Sequence, residues 1–140
     1  MKKGSSLLEV LVVVSILSLL LTVTLPRFSY IQKYKEKRKI EEICINTIKA
    51  RRLALDSSRA MTIVFQENNY RLLKKEEEIY QTSYGEDISL DQAKEIRLVF
   101  TRNGRPDNQS AQTIVFKGKY NKYALVVAPV TGQVRWEVKE

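Results

Sequence analysis

Polar and apolar positions divide the 140-residue chain into three stretches. Leu7 to Leu25 is a run of 19 residues interrupted by Glu9 and a few hydroxyl side chains. At roughly 1.5 Å per residue, a helix of that length covers close to the ~30 Å hydrocarbon core of a bilayer. From Arg27 the period stays helical but becomes one-sided. Ile40, Ile43, Cys44, Thr47, Ile48 and Leu55 recur at helical spacing, while Glu41, Glu42, Lys49 and Arg52 fall largely elsewhere on the wheel. The spacing predicts one helix from about Ser5 to Leu55, about 75 Å long. Asp56-Ser57-Ser58 ends it, and its second half needs a partner to cover the apolar face.

The third stretch reads as strands. Ala60 to Phe65 and Tyr70 to Leu73 flank Glu67-Asn68-Asn69 as a hairpin, and Ile79 to Tyr84 forms a weaker third strand. An ambiguous piece follows Gly85-Glu86-Asp87. Ile96 to Phe100, Thr113 to Lys117, Tyr123 to Val127 and Gln133 to Val138 complete the set. One helix followed by an antiparallel meander predicts an α+β head. The organisation expected is a leader over 1–4, a transmembrane helix over 5–26, an amphipathic helix over 27–56 and a β head over 57–140.

Charge sets the direction of the apolar run. Lys2 and Lys3 precede it without an acid, which places the N-terminus in the cytoplasm and the chain after Pro26 outside. Lys33, Lys35, Lys37, Arg38 and Lys39 form a basic collar, with Phe28, Tyr30 and Tyr34 as interfacial aromatics. Glu9 is what an ordinary anchor does not need, because a carboxylate in hydrocarbon costs about 2.5 kcal/mol or more without a partner. If the chain is cut after Gly4, the new amino group of Ser5 lies about a turn from Glu9. A neighbouring molecule's amino group could serve the same carboxylate.

Basic leader, Gly4, Leu7-Leu8-Glu9 and an apolar helix ending at Pro26 together resemble the class III signal of type IV pilins and pseudopilins. The resemblance implies that a prepilin peptidase cuts between Gly4 and Ser5 and methylates Ser5. It makes Glu9 the residue that pairs with an adjacent subunit's N-terminus in the filament, and Pro26 the proline that bends the helix. The family usually has Phe-Thr after the glycine, where this chain has Ser5-Ser6. A conventional signal peptide would want small residues in an A-x-A arrangement, and Thr22 to Arg27 offers a poor version of it.

The head extends the resemblance. Leu98-Val99-Phe100 with Asn103-Gly104-Arg105-Pro106, Thr113 to Lys117, and Ala124 to Val127 before Gly132-Gln133-Val134-Arg135 are similar to the H-type minor pseudopilins of type II secretion. Within these the pattern is nearest the D-type competence pseudopilins of Gram-positive bacteria. The resemblance implies a low-abundance subunit that initiates or caps a pilus used in binding and uptake of extracellular DNA. Its implied partners are a major pseudopilin, other minor pseudopilins, the prepilin peptidase, an assembly platform and an ATPase. Type II secretion and other type IV pilus systems, or a direct DNA-binding receptor at the pilus tip, remain alternatives.

Composition narrows the chemistry. The chain has no histidine and one cysteine, so an intrachain disulfide and zinc-type clusters are excluded; no cofactor, metal or catalytic role is expected. Cys44 lies on the apolar stripe, where a thiol behaves as a small hydrophobe. The formal charge of +8 falls to +6 without Lys2 and Lys3 and suits acidic surfaces, DNA among them, without specifying one. Lys117, Lys119, Tyr120, Lys122 and Tyr123 mix basic and aromatic residues as strand-tracking nucleic-acid sites do, and Arg102 and Arg105 are candidate additions. The plainer reading is a solvated turn whose tyrosines cover the sheet. Glu76-Glu77-Glu78 lacks the spaced oxygen ligands of a calcium loop and reads as an exposed charged stretch. Asn108-Gln109-Ser110 matches a glycosylation sequon that carries little meaning in a bacterial-looking chain.

Overall fold

The computed structural model describes residues 3–108, 110 and 113–139, with backbone alone for 3–5 and 24–27. Its elements are α1 (Lys3–Ser57), β1 (Met61–Phe65), β2 (Asn69–Lys74), β3 (Glu77–Ser83), β4 (Ile88–Leu90), β5 (Ile96–Phe100), β6 (Thr113–Gly118), β7 (Lys122–Val127) and β8 (Val134–Lys139). The chain divides into two units, Met1–Tyr34 and Lys35–Glu140. Met1 and Lys2 lie outside the described residues.

In the second unit the helix turns one stripe inward. Glu36, Ile40, Ile43, Cys44, Thr47, Ala50 and Ala54 are buried at steps of about three and four, the spacing of one helical face. Ile48 is half-buried and Leu55 remains 41% exposed, so the apolar stripe ends in alanines rather than in Leu55. Cys44 is buried as expected, with Sγ 4.0 Å from the Val134 carbonyl, and burial followed by the nearby Glu41 pushes its thiol up. The helix closes with the N–H of Arg59 donating to Ala54 and that of Ser58 to Leu55, both at 3.3 Å. Ser58 takes φ 50, which makes this a Schellman closure built without glycine.

The strands form two four-stranded antiparallel sheets rather than one continuous meander. Their orders are β3-β2-β1-β5 and β4-β6-β7-β8. The predicted first hairpin is present, with Met61 opposite Lys74 and Phe65 opposite Tyr70. On its other side β1 pairs with β5, Phe65 opposite Ile96. The ambiguous piece after Asp87 supplies β4, which leaves the first sheet and pairs with β6 in the second. Alternation shows which residues of a strand are buried, but it does not name the strand's partner.

An aromatic cluster joins the two sheets. Phe65 and Tyr70 of the first meet Phe116 of the second and Tyr84 from the loop after β3, with ring centroids 5.5–6.1 Å apart. All four rings are fully buried, and Ile63, Leu72, Leu98, Ile114 and Leu125 fill the space around them.

The β2–β3 hairpin is longer than the sequence indicates because its turn contains no glycine, proline or asparagine. Lys74 pairs with Glu77, so Lys75-Glu76 is the whole loop, and both residues have positive φ (52 and 70). Two-residue loops of this kind favour Asn-Gly, and left-handed backbone costs about 1 kcal/mol or more for other L-residues. Replacing Lys75-Glu76 by Asn-Gly is expected to raise stability by about 1 kcal/mol, seen as a rise of several degrees in Tm by circular dichroism of the full chain in detergent. An unchanged or lower Tm would show that the turn is not strained.

Candidate functional site

Two features stand out, one in each unit. In the first, large side chains from Leu7 to Val23 are 48–72% exposed, a continuous apolar surface. The helix is long and apolar enough to cross a membrane. Three of its hydroxyls are satisfied locally: those of Ser15 and Ser18 donate to the carbonyls of Leu11 (2.7 Å) and Val14 (2.8 Å), and Thr22 donates to Leu19 (2.8 Å). Each bond lies within one helical turn and satisfies the hydroxyl without water. Glu9 is exposed on this segment, while Gly4, Ser5 and Pro26 continue the helical backbone.

In the second unit, two polar side chains of α1 fasten the head. Glu36 is 1% exposed, an acid at the start of the apolar stripe. Its Oε1 accepts from the backbone N–H groups of Lys119 (2.8 Å) and Tyr120 (3.1 Å), and its Oε2 from the Tyr123 hydroxyl (3.1 Å). Burial pushes the Tyr123 hydroxyl up, partly opposed by a bond from Asn121, and the Glu36 charge adds to the rise. Gly118 makes room for this carboxyl group, since a Cβ there would stand 2.5 Å from Glu36 Oε2. Arg51 is the second fastener. Its Nε donates to the Gly104 carbonyl and a terminal nitrogen to that of Thr131, each at 2.9 Å, tying the β5–β6 and β7–β8 loops to one guanidinium. Gly104 and Gly132 sit here with φ 68 and 67, Gly104 against Leu55 and Gly132 against the Gly104 carbonyl.

The predicted basic residues fall into two places. Lys117, Lys119, Tyr120 and Lys122 border one hollow of about 680 Å³, which Lys139 and Asp91 also line. Arg102 and Arg105 lie in the loop held by Arg51. Glu36 and Arg51 are 15 residues apart, about 22 Å of helix, so the two groups attach at well-separated levels of α1. Tyr123 is core, while Tyr120 is 41% exposed with the Lys119 ammonium 5.9 Å from its ring centre. Glu76, Glu77 and Glu78 are exposed, Glu77 and Glu78 at the start of an edge strand. Gln109 of the sequon lies outside the described residues.

Sequence reasoning passed over Glu36, Arg51, Asp91 and Lys139. The signal for Glu36 was present: it stands four residues before Ile40, an acid on the face that must be covered. Nothing in the sequence marks Arg51, because its acceptors are carbonyls of two distant loops.

A helix whose later half seats on antiparallel sheets, preceded by an uncovered apolar segment, defines a pilin-like α+β fold. The structure is similar to the crystal structure of the type IV minor pilin FimU of Pseudomonas aeruginosa (strain PAO1), with a TM-score of 0.59 over 79% of this chain and 92% of that one. Identity is 14%, so the likeness is one of fold. No protein-family model matches the sequence, and no curated protein matches it.

The Glu36 arrangement carries its own test. Glu36→Ala would leave two backbone N–H groups and a tyrosine hydroxyl without their acceptor and is expected to cost about 2–4 kcal/mol. Gly118→Ala should destabilise in the same direction by crowding the carboxyl group. Urea unfolding of both variants, followed by circular dichroism, checks this; wild-type midpoints would show that the β6–β7 turn does not depend on Glu36.

Proposed function

We propose that this chain is a minor pilin-like subunit of a type IV pilus-like filament, held in the membrane by its N-terminal helix until assembly. The observation that carries the reading is the pilin-like head joined to an exposed apolar segment that bears a carboxylate, Glu9, near its start. The domain plan follows: a leader over 1–4, a membrane and filament-core helix over 5–26, an amphipathic helix over 27–56 and a head over 57–140. Lys2 and Lys3 keep the leader in the cytoplasm and the head emerges outside. A prepilin peptidase cuts between Gly4 and Ser5. The apolar helices then leave lipid for the filament core, where the amino group of one subunit meets Glu9 of the next. In hydrocarbon that pairing is the cheapest state open to the carboxylate, which makes it a device for axial register. Pro26 relaxes the helix between its two halves.

The finer reading is a competence filament in which this subunit works with a major pseudopilin and other minor ones to initiate or cap the pilus for DNA uptake. The resemblance of the head segments to competence pseudopilins supports it. A type II secretion or other pilus system would use the same anchor and register. Chemistry on a substrate forms no part of either reading; the work is extraction and repacking, driven by a cytoplasmic ATPase through an assembly platform.

Intact mass of the protein from membranes with and without prepilin peptidase tests the proposal. The expected result is peptidase-dependent loss of Met1 to Gly4, with or without a methyl group on Ser5. An uncleaved chain, or one cut near Pro26, would return the segment to a plain anchor or signal. Glu9→Ala is expected to leave cleavage intact and to lower recovery of the subunit in sheared filaments about tenfold or more, the effect of losing about 1.4 kcal/mol or more at assembly.

A further inference from the structure

On the face of the second sheet that points away from α1, three lysines stand in one register row. Lys117 of β6 is directly opposite Lys122 of β7, and Lys122 is directly opposite Lys139 of β8. Directly paired residues project from the same side of a sheet, their strands about 4.8 Å apart, and like charges so placed destabilise it. The opposite face is occupied by core: Phe116, Tyr123 and Leu125 are buried, and Trp136 packs beneath Lys37 of α1. The lysines therefore have no packing role that would explain the row.

One acid answers them directly. Asp91, just after β4, accepts from the Lys122 ammonium at 2.9 Å. That bond, with the charges of Lys122, Lys117 and Lys139, holds its carboxyl below the usual range. Among the described residues neither Lys117 nor Lys139 forms a salt bridge. Glu137 is exposed two residues along β8, opposite Ala124 rather than opposite a lysine. Lys119 and Tyr120 border the same hollow from the turn, whose backbone is already fixed by Glu36.

We propose that the Lys117–Lys122–Lys139 row is a binding site for a phosphodiester polymer, and that Asp91 is a resident counter-charge which the polymer displaces. A row of ammoniums at strand spacing suits a linear polyanion better than a single small ion. Lysine presents point charges that meet phosphate oxygens without demanding a planar partner. The half-exposed Tyr120 ring at the rim suits a base, while the row itself asks only for the backbone. The site thus gains Lys139 and excludes Arg102 and Arg105. It concerns the head alone and stands whether or not the chain is processed and assembled as a pilin.

The test uses the full chain in non-ionic detergent micelles and a fluorescently labelled oligothymidylate, with anisotropy read across a salt series. Three lysine contacts predict a log–log salt slope of about −2, at about −0.7 per phosphate. The Lys117→Gln/Lys139→Gln variant should bind about tenfold or more weakly at low salt, with a slope shallower by about 1.4. Asp91→Asn should bind about threefold or more tightly, because the competing carboxylate is gone. Unlabelled poly(glycerol phosphate) and poly(glutamate) serve as competitors. Equal competition by the base-free phosphate polymer supports the site with the backbone alone as ligand; preference for oligothymidylate that is lost in Tyr120→Ala supports it with nucleic acid as ligand. Poly(glutamate) competing equally well would overturn the phosphodiester assignment. So would wild-type binding by the double lysine variant, or a comparable loss on replacing Arg102 and Arg105 instead. Unchanged or weaker binding by Asp91→Asn would overturn the role given to that residue. Relieving like-charge crowding should leave Tm equal or higher; if the double variant fails to fold, Lys117→Gln and Lys139→Gln singly replace it, each expected to make the slope shallower by about 0.7, and wild-type slopes in both would overturn the site.

Discussion

The bond between Glu36 and the β6–β7 turn is the constraint on which the arrangement of the head depends. An apolar stripe gives α1 a face to bury, but hydrophobic contact is non-directional and tolerates sliding by a helical turn. A carboxyl group at 1% exposure does not, because burying it without donors costs several kcal/mol. Two backbone N–H groups and the Tyr123 hydroxyl supply those donors at one position. Arg51 repeats the device four turns on with two loop carbonyls. With both ends fastened, α1 is held at one level against the β6–β7 turn and the two loops, and Gly118, Gly104 and Gly132 are the places where the approach is too close for a side chain.

The two units are built for different solvents. The head follows water-phase rules, with apolar residues inside, rings clustered between sheets and, Glu36 apart, its lysines and acids at the surface. The first unit inverts this by exposing leucine, valine and isoleucine along its length. Local hydroxyl-to-carbonyl bonds keep Ser15, Ser18 and Thr22 compatible with lipid or with other helices. An apolar segment of this kind suits either a bilayer or a helical bundle, as the proposed filament subunit would require.

The β2–β3 turn and the lysine row are places where local preference and global structure disagree. The first places Lys75 and Glu76 in left-handed backbone, and the second aligns three ammoniums across adjacent strands. Such conflicts persist when the surrounding structure outweighs them or when they serve a purpose. For the turn, the core beneath β2 is sufficient reason, with Tyr70, Leu72 and Leu73 all buried. The row also stands on strands with buried core, Phe116, Tyr123 and Leu125, on their other face, but the ammoniums take no part in that packing, which directs attention to what they meet outside.

Periodicity by itself determined the long helix, its apolar first half, the amphipathic stripe through Ile40, Ile43, Cys44 and Thr47, and most of the strands, because each of these is written in the spacing of neighbouring residues. The Gly4–Ser5 pair and Glu9 rest on a local motif of the same kind and belong to the proposed function. Partnership was not legible. That β1 pairs with β5, that β4 crosses to the second sheet, and that Arg51 and Glu36 meet loops more than 50 residues away are decided by which chain segments close around the same core. The basic residues show the division most plainly. Sequence proximity groups Lys117, Lys119 and Lys122, which line one hollow, but it does not indicate that Lys139 lines the same hollow or that Arg102 and Arg105 lie in another loop. Strand register alone places Lys139 beside Lys122, since hydrogen-bonded pairing brings residues 17 apart in sequence within a few ångströms of each other.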